Sequence, residues 1–202
     1  MTEVSLVDNQ TFPGLLLKHS QNSADSPAFR EKYLGIWQTY SWRESAEQVR
    51  ALACGFAAMG LKRGDTIAII GDNRPQLYWV FLAAQSIGAV PVPMYQDGVA
   101  EELQYVLDHA GVRFAVVEDQ EQTDKLFLIK DRCSQLEEII YKDSRGMQDY
   151  NQPFVHNYTD VQECGRAYDE ENPEFFQREL AATGPDDVAG VFYTSGTTGN
   201  PK

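Results

Sequence analysis

Ten residues near the end of the 202-residue sequence, Tyr193-Thr194-Ser195-Gly196-Thr197-Thr198-Gly199-Asn200-Pro201-Lys202, have the types and spacing needed to hold a phosphate. The hydroxyls of Thr194, Ser195, Thr197 and Thr198 are donors. Gly196 and Gly199 let backbone N–H groups approach an anion closely, and Lys202 adds a positive charge. Pro201 stands before Lys202, so the spacing is not the G-x-x-x-x-G-K-[ST] of P-loop nucleotidases, which excludes a kinase or GTPase reading. Loops of Ser, Thr and Gly are common connectors. This one is set apart by the apolar run Val188-Ala189-Gly190-Val191-Phe192 that leads into it and reads as a buried strand, and by the cation that ends it.

Other groups with reactive chemistry are less well placed. His19, His109 and His156 lie far apart with no second ligand at helical spacing, so surface or satisfied-core roles are expected rather than a metal site. The pairs Glu101-Glu102 and Glu137-Glu138 are adjacent in sequence and point apart on a helix or strand, which reads as solvated charge. Asp72-Asn73-Arg74 follows a predicted strand, where capping of the next helix accounts for Asp72 and Asn73. Tyr95-Gln96-Asp97 reads as a loop after the following strand. Cys54, Cys133 and Cys164 are odd in number and have no C-x-x-C spacing, which indicates neither a disulfide framework nor zinc and suits a reducing compartment.

The elements that must position the loop follow from periodicity. Residues 11–20 form a short amphipathic helix, and Ala28–Tyr33 and Ile36–Tyr40 a β-hairpin. Ser41-Trp42-Arg43-Glu44 is a capping box, opening a helix that Gly60 ends. Thr66–Ile70 is a continuous apolar strand of the kind buried on both faces of a parallel sheet. Alternation continues with a helix at Gln76–Ile87, a strand at Ala89–Pro93, a helix at Val99–Ala110 and a strand at Arg113–Glu118. A helix at Thr123–Cys133 and a strand at Glu138–Tyr141 follow. Ser144–Pro153 reads as a polar loop, and Tyr158–Ala167 and Glu174–Ala181 as acidic surface helices. Strands alternating with helices over short connections specify βαβ crossovers. The predicted fold is therefore α/β, a doubly wound, mostly parallel sheet with helices on both faces. The loop then falls outside the carboxyl end of a strand, where such sheets bind ligands.

The ten residues resemble the [YF]-[ST]-[ST]-G-[ST]-T-G-x-P-K signature of the adenylate-forming (AMP-binding) superfamily of acyl-CoA synthetases, luciferase and peptide-synthetase adenylation domains. The resemblance extends back through Gly64-Asp65, Gly71-Asp72-Asn73-Arg74, Gly88-Ala89-Val90-Pro91-Val92-Pro93 and Glu102–Asp108, and so covers most of the chain. The run from Pro91 to Asp108, with Arg113–Asp119, is most similar to bacterial long-chain fatty acid:CoA ligases, although Gln96 and Asp97 depart from the small hydroxyl residues common there. This resemblance implies a two-step reaction. MgATP and a fatty acid give an acyl-adenylate and pyrophosphate, and coenzyme A then displaces AMP. Thr194, Ser195, Gly196, Thr197, Thr198, Gly199 and Lys202 are then expected to hold the pyrophosphate, and Thr194 to help hold magnesium. It also implies that residues 1–202 are the N-terminal portion of the AMP-binding domain. The catalytic lysine, the ribose-binding acid and the mobile C-terminal domain are expected downstream, so this segment is expected to be inactive alone. Amino-acid or aryl-acid adenylation, and a catalytically silent interaction module of the same fold, remain alternatives.

Bulk properties bound the partners. With 30 acidic against 17 basic residues, a net charge of -13, the chain has no basic stripe for nucleic acid, and small molecules are the expected partners. Residues 1–10 lack a secretory start, the sequons at Asn9 and Asn157 read as chance, and Leu77–Ile87 is too short to span a bilayer. The expected location is cytoplasmic. Loose peripheral association with the inner face of a membrane stays open, disfavoured by the net charge, and oligomeric state is not legible.

Overall fold

The structure, a computed structural model, describes residues 10–194. Helix α1 (Phe12–Asn22) precedes the hairpin β1 (Pro27–Tyr33) and β2 (Ile36–Ser41), whose two-residue turn, Leu34-Gly35, has positive φ at both positions. Ser41 then caps α2 (Trp42–Ala58) through the expected capping box, with the Glu44 carboxylate accepting from the Ser41 backbone N–H at 2.7 Å. The alternating part consists of β3 (Thr66–Ile70), α3 (Pro75–Ser86), β4 (Val90–Met94), α4 (Ala100–Ala110), β5 (Val112–Val117), α5 (Gln120–Ile129) and β6 (Glu138–Tyr141). It is followed by β7 (Val155–Asn157), α6 (Tyr158–Glu171) and α7 (Phe175–Ala181).

Strands β4-β3-β5-β6-β7 form one all-parallel sheet in that order. Burial alternates through it as two-sided coverage requires. Ile67, Ile69, Phe114, Val116 and Ile140 face a cluster built with α1, α2, α3, α6 and α7, while Ala68, Ile70, Ala115, Val117 and Ile139 face α4 and α5. The crossover from β3 to β4 carries α3 on the first face, and that from β4 back to β5 carries α4 on the second. Strand order therefore reverses at β3, the topological switch point of a doubly wound sheet.

Several local expectations shift. Strand β7 lies where no element was predicted. At three residues, with His156 and Asn157 among them, it is too short to show a period, and it is held by pairing with β6. Helix α5 starts three residues early, because the Asp119 side chain accepts from Gln122 N–H at 3.2 Å and caps it, and it ends in a 3-10 turn at Lys130–Arg132. Helix α6 is more than a surface helix, since it buries Tyr158, Val161, Gln162 and Gly165. A Cβ on Gly165 would sit 1.8 Å from the Ala51 carbonyl oxygen of α2, and one on Gly55 would sit 2.3 Å from that of Val161, so the two helices cross backbone to backbone.

Candidate functional site

Residues 188–192 are not a strand, but they run extended beside β4. The Val191 N–H donates to the Pro91 carbonyl at 3.0 Å, and the buried Gln85 amide of α3 donates to the Ala189 carbonyl at 2.6 Å. Side chains alternate as on a strand. Val191 and Tyr193 pack with the α4 face, while Phe192 turns to Phe81 of α3, ring centroids 6.3 Å apart. A single ladder bond is too little to make a strand of this run.

The segment ends in the wall of a cavity of about 920 Å³ at the carboxyl ends of β3 and β4, between α3 and α4. Phe81, Leu82, Leu103, Val106 and Phe192 supply apolar walls, and Phe12 and Phe29 close it from α1 and the hairpin. Asp72, Asp97 and Glu102 supply carboxylates, Thr194 a hydroxyl, and among the described lining residues there is no lysine, arginine or histidine. Of the predicted phosphate-holding residues, Thr194 is therefore on the cavity wall. Ser195, Gly196, Thr197, Thr198, Gly199 and Lys202 lie outside the described residues.

Beside the cavity, the switch point is closed by charge. The Glu118 carboxylate, at the end of β5, accepts from the Asp72 backbone N–H at 2.6 Å and from Arg74 Nε. Arg74 also faces Glu31 at 3.7 Å and Asp72 at 3.9 Å. The hydrogen bond to Glu118 holds the Arg74 guanidinium above its already high ordinary pKa. Gly71 is required here by space, because a Cβ would lie 2.7 Å from both Glu118 Cβ and Leu77 Cδ1. The Glu31 carboxylate in turn accepts from Tyr40 Oη at 2.9 Å and Gln76 Nε2 at 3.0 Å, with burial first and Glu31 second pushing the Tyr40 phenol up to about 12. The capping role expected for Asp72 and Asn73 is not what they do. The N-cap of α3 is Arg74, with no side-chain capping bond, and Asp72 Oδ1 accepts from Gln96 Nε2 at 2.6 Å. Gln96 thus ties the ends of β3 and β4 together, a role its position in a predicted loop did not announce.

The scattered histidines each have a neighbour. His19 stacks on Trp42 at 4.5 Å, and His156 Nε2 meets Glu138 at 2.6 Å. His109, on the last turn of α4, lies 2.6 Å from Tyr193 Oη. The surface role expected for His109 fits its exposed place on α4, but a separation of 84 residues left no signal that could have joined it to the motif. Glu102 lines the cavity without Glu101, while Glu137 pairs with Arg113, so neither acidic pair acts as a pair. Among the described residues there is no cluster of three acidic, histidine or cysteine side chains able to hold a metal. Of the residue expected to help hold magnesium, the structure shows only that Thr194 stands on the cavity wall.

Comparison with known proteins bears on the same residues. The model of the AMP-binding enzyme family matches residues 16–202. The chain is 25% identical over 195 residues to the long-chain-fatty-acid–CoA ligase FadD15 of Mycobacterium tuberculosis, covering 96% of this chain and 31% of that protein. It is 28% identical over 179 residues to the long-chain-fatty-acid–CoA ligase ACSBG1 of Bos taurus, covering 88% and 24%. Among solved structures, the anthranilate CoA ligase AuaEII in complex with anthranoyl-AMP superposes with a TM-score of 0.74 at 19% identity over 92% of this chain and 32% of that one. A Mycobacterium tuberculosis fatty acyl CoA synthetase gives 0.71 at 20% identity over 94% and 33%. The chain thus spans about a third or less of the length of these relatives, and the structural likeness speaks to the fold.

Proposed function

Since this chain belongs to the AMP-binding enzyme family, we propose that the protein carrying it is an ATP-dependent long-chain fatty acid:CoA ligase to which residues 1–202 contribute the pyrophosphate-binding loop. In this reading a fatty-acid carboxylate oxygen attacks the α-phosphorus of ATP, the bond to the β-phosphate bridging oxygen breaks, and pyrophosphate leaves. The thiol of coenzyme A then attacks the acyl carbonyl, losing its proton as the carbon–oxygen bond to AMP breaks. In the first step charge spreads over phosphate oxygens. The hydroxyls of Thr194, Ser195, Thr197 and Thr198, the N–H groups freed by Gly196 and Gly199, and the Lys202 ammonium oppose that charge. Magnesium, when bound, neutralises phosphate charge, with Thr194 as its ligand from this chain. The segment alone is expected to bind phosphate weakly and not to complete ligation.

The observation that carries the reading is the largely apolar cavity at the carboxyl ends of β3 and β4 with Thr194 in its wall, a size and place suited to a small-molecule site of about 300–1,000 Å³. Apolar walls favour a carboxylate with a hydrocarbon tail, as in the ligases among its relatives. The carboxylates of Asp72, Asp97 and Glu102 favour a second reading, amino-acid activation, because they would pair with a substrate ammonium. The test is carboxylate-dependent exchange of labelled pyrophosphate into ATP by the full-length protein. Long-chain acids are expected to support exchange, with Lys202→Ala or Gly196→Val reducing it at least about a hundredfold. Exchange with amino acids alone would establish the second reading, and none with any carboxylate would leave a silent module of this fold.

A further inference from the structure

The path into the phosphate loop is tied down at alternate residues by three different elements. Ala189 is held by Gln85 of α3, Val191 by Pro91 of β4, and Tyr193 by His109 of α4. We propose that His109 is a positioning residue for the phosphate loop, holding the hydroxyl of Tyr193, the residue that leads into Thr194. The proposal rests on the ligase reading and adds to it a residue far from the motif.

Two observations carry it. The contact is short, 2.6 Å between Nδ1 and Oη, and the rings meet edge to face with centroids 5.6 Å apart, so both the polar end and the ring of Tyr193 are gripped. The grip is itself braced, because Tyr105, one turn earlier on α4, stacks on His109 at 5.7 Å and 18° and limits its rotation. The Tyr193 phenol, whose pKa burial raises further above neutrality, carries a proton it can donate to Nδ1. A loop that must present several donors to one anion loses affinity when its root can swing, even though no donor is removed.

The test is steady-state pyrophosphate exchange by the full-length protein. His109→Phe and Tyr193→Phe are each expected to raise KM for ATP and for pyrophosphate about two- to tenfold, the worth of one hydrogen bond. The KM for the carboxylate and the melting temperature are expected to stay unchanged, the double variant to be no worse than either single one, and His109→Asn, whose amide oxygen can accept in place of Nδ1, to recover most of the loss. A matching rise in the carboxylate KM, a fall in melting temperature, or additive losses in the double variant would each overturn the proposal. If the wild type exchanges with no carboxylate, the ligase reading fails by itself, and titration of this chain with inorganic pyrophosphate then decides. A shift of the His109 ring resonances that disappears in Tyr193→Phe supports the tie, and the absence of any shift refutes it.

Discussion

Substituting alanine for Gly165 tests whether the crossing of α2 and α6 is as close as the structure has it. The new Cβ would stand 1.8 Å from the Ala51 carbonyl oxygen, 2.6 Å from the Gly55 nitrogen and 2.9 Å from the Ala51 carbonyl carbon, all backbone atoms that no rotamer change can move. Because Cβ contacts under 3.0 Å are essentially never seen, α6 must retreat by more than about 1 Å. A gap of that size forfeits roughly half of the dispersion energy of each contact it opens. It would also stretch the paired bonds from Arg50 to Asp169, at 2.7 and 2.9 Å, and loosen Val161 and Tyr158 from the core. Overpacking of this kind costs up to about 3 kcal/mol, offset by about 1 kcal/mol of helix propensity gained on replacing glycine. The net loss of about 2 kcal/mol should lower the melting temperature by roughly 4–8 °C in a chain of this size. The control is Gly184→Ala, where a Cβ meets nothing within 4 Å and φ is not positive, and where stability should hold or rise slightly. Thermal melts followed by circular dichroism decide it. A Gly165→Ala chain that melts at or above the wild-type temperature would show that the helices are further apart than described.

Two further outcomes follow from titratable groups. Burial first and Asp169 second push the Cys54 thiol up to about 12, and burial with Asp108 pushes Cys133 up to about 11, whereas Cys164 is exposed. In the native chain at pH 8 only Cys164 should react rapidly with a disulfide reagent, and all three cysteines after denaturation. Rapid release from a second thiol in the native state would contradict the burial of Cys54 and Cys133. The Glu44 carboxyl is held below its ordinary value by the Ser41 backbone N–H and then by its hydroxyl. A depressed carboxyl contributes stability that is complete above its unfolded pKa, about 4.3, and is lost as pH falls through the folded value. Ser41→Ala should therefore cost about 1 kcal/mol at pH 7. The difference between Glu44→Gln and wild type in urea unfolding should shrink as pH falls below about 4, and a pH-independent difference would refute the capping box as its source.

What the sequence made legible was whatever is local. The capping box at Ser41 and the apolar run Thr66–Ile70 each carry their signal within a few residues, and both elements stand where expected. The reversal of strand order at β3 followed only in kind, because alternation implies crossovers without saying on which side of β3 each returning strand pairs. Long-range polar pairs were not legible. Asp72 and Asn73 looked like caps because a carboxylate or amide before a proline-led helix usually is one, and nothing nearby in sequence shows Gln96 competing for Asp72. The same holds for Gly165, whose need is set by a carbonyl on another helix, and for His109, which has no local pattern at all.

The charge around the cavity makes the loop more decisive than its motif alone implies. The described lining is acidic, with Asp72, Asp97 and Glu102 and no cation, in a chain of net charge -13. A polyphosphate approaching it meets repulsion, which salt screens beyond about 8 Å under physiological conditions. The nearby cations are already engaged, Arg74 by Glu118 and Lys125 by Glu121 at 2.9 Å and the Gln96 carbonyl at 2.6 Å. Under the proposed ligase reading, anion binding at this end of the sheet would fall to the motif donors that follow Tyr193 in sequence and to Lys202. On that reading, Lys202→Glu is expected to raise the KM for pyrophosphate in the exchange assay more than Lys202→Ala, because it adds a carboxylate to a site whose described lining is already acidic. For the same reason neutralising Asp97 should strengthen nucleotide binding, whereas removing Arg74 should act through the fold.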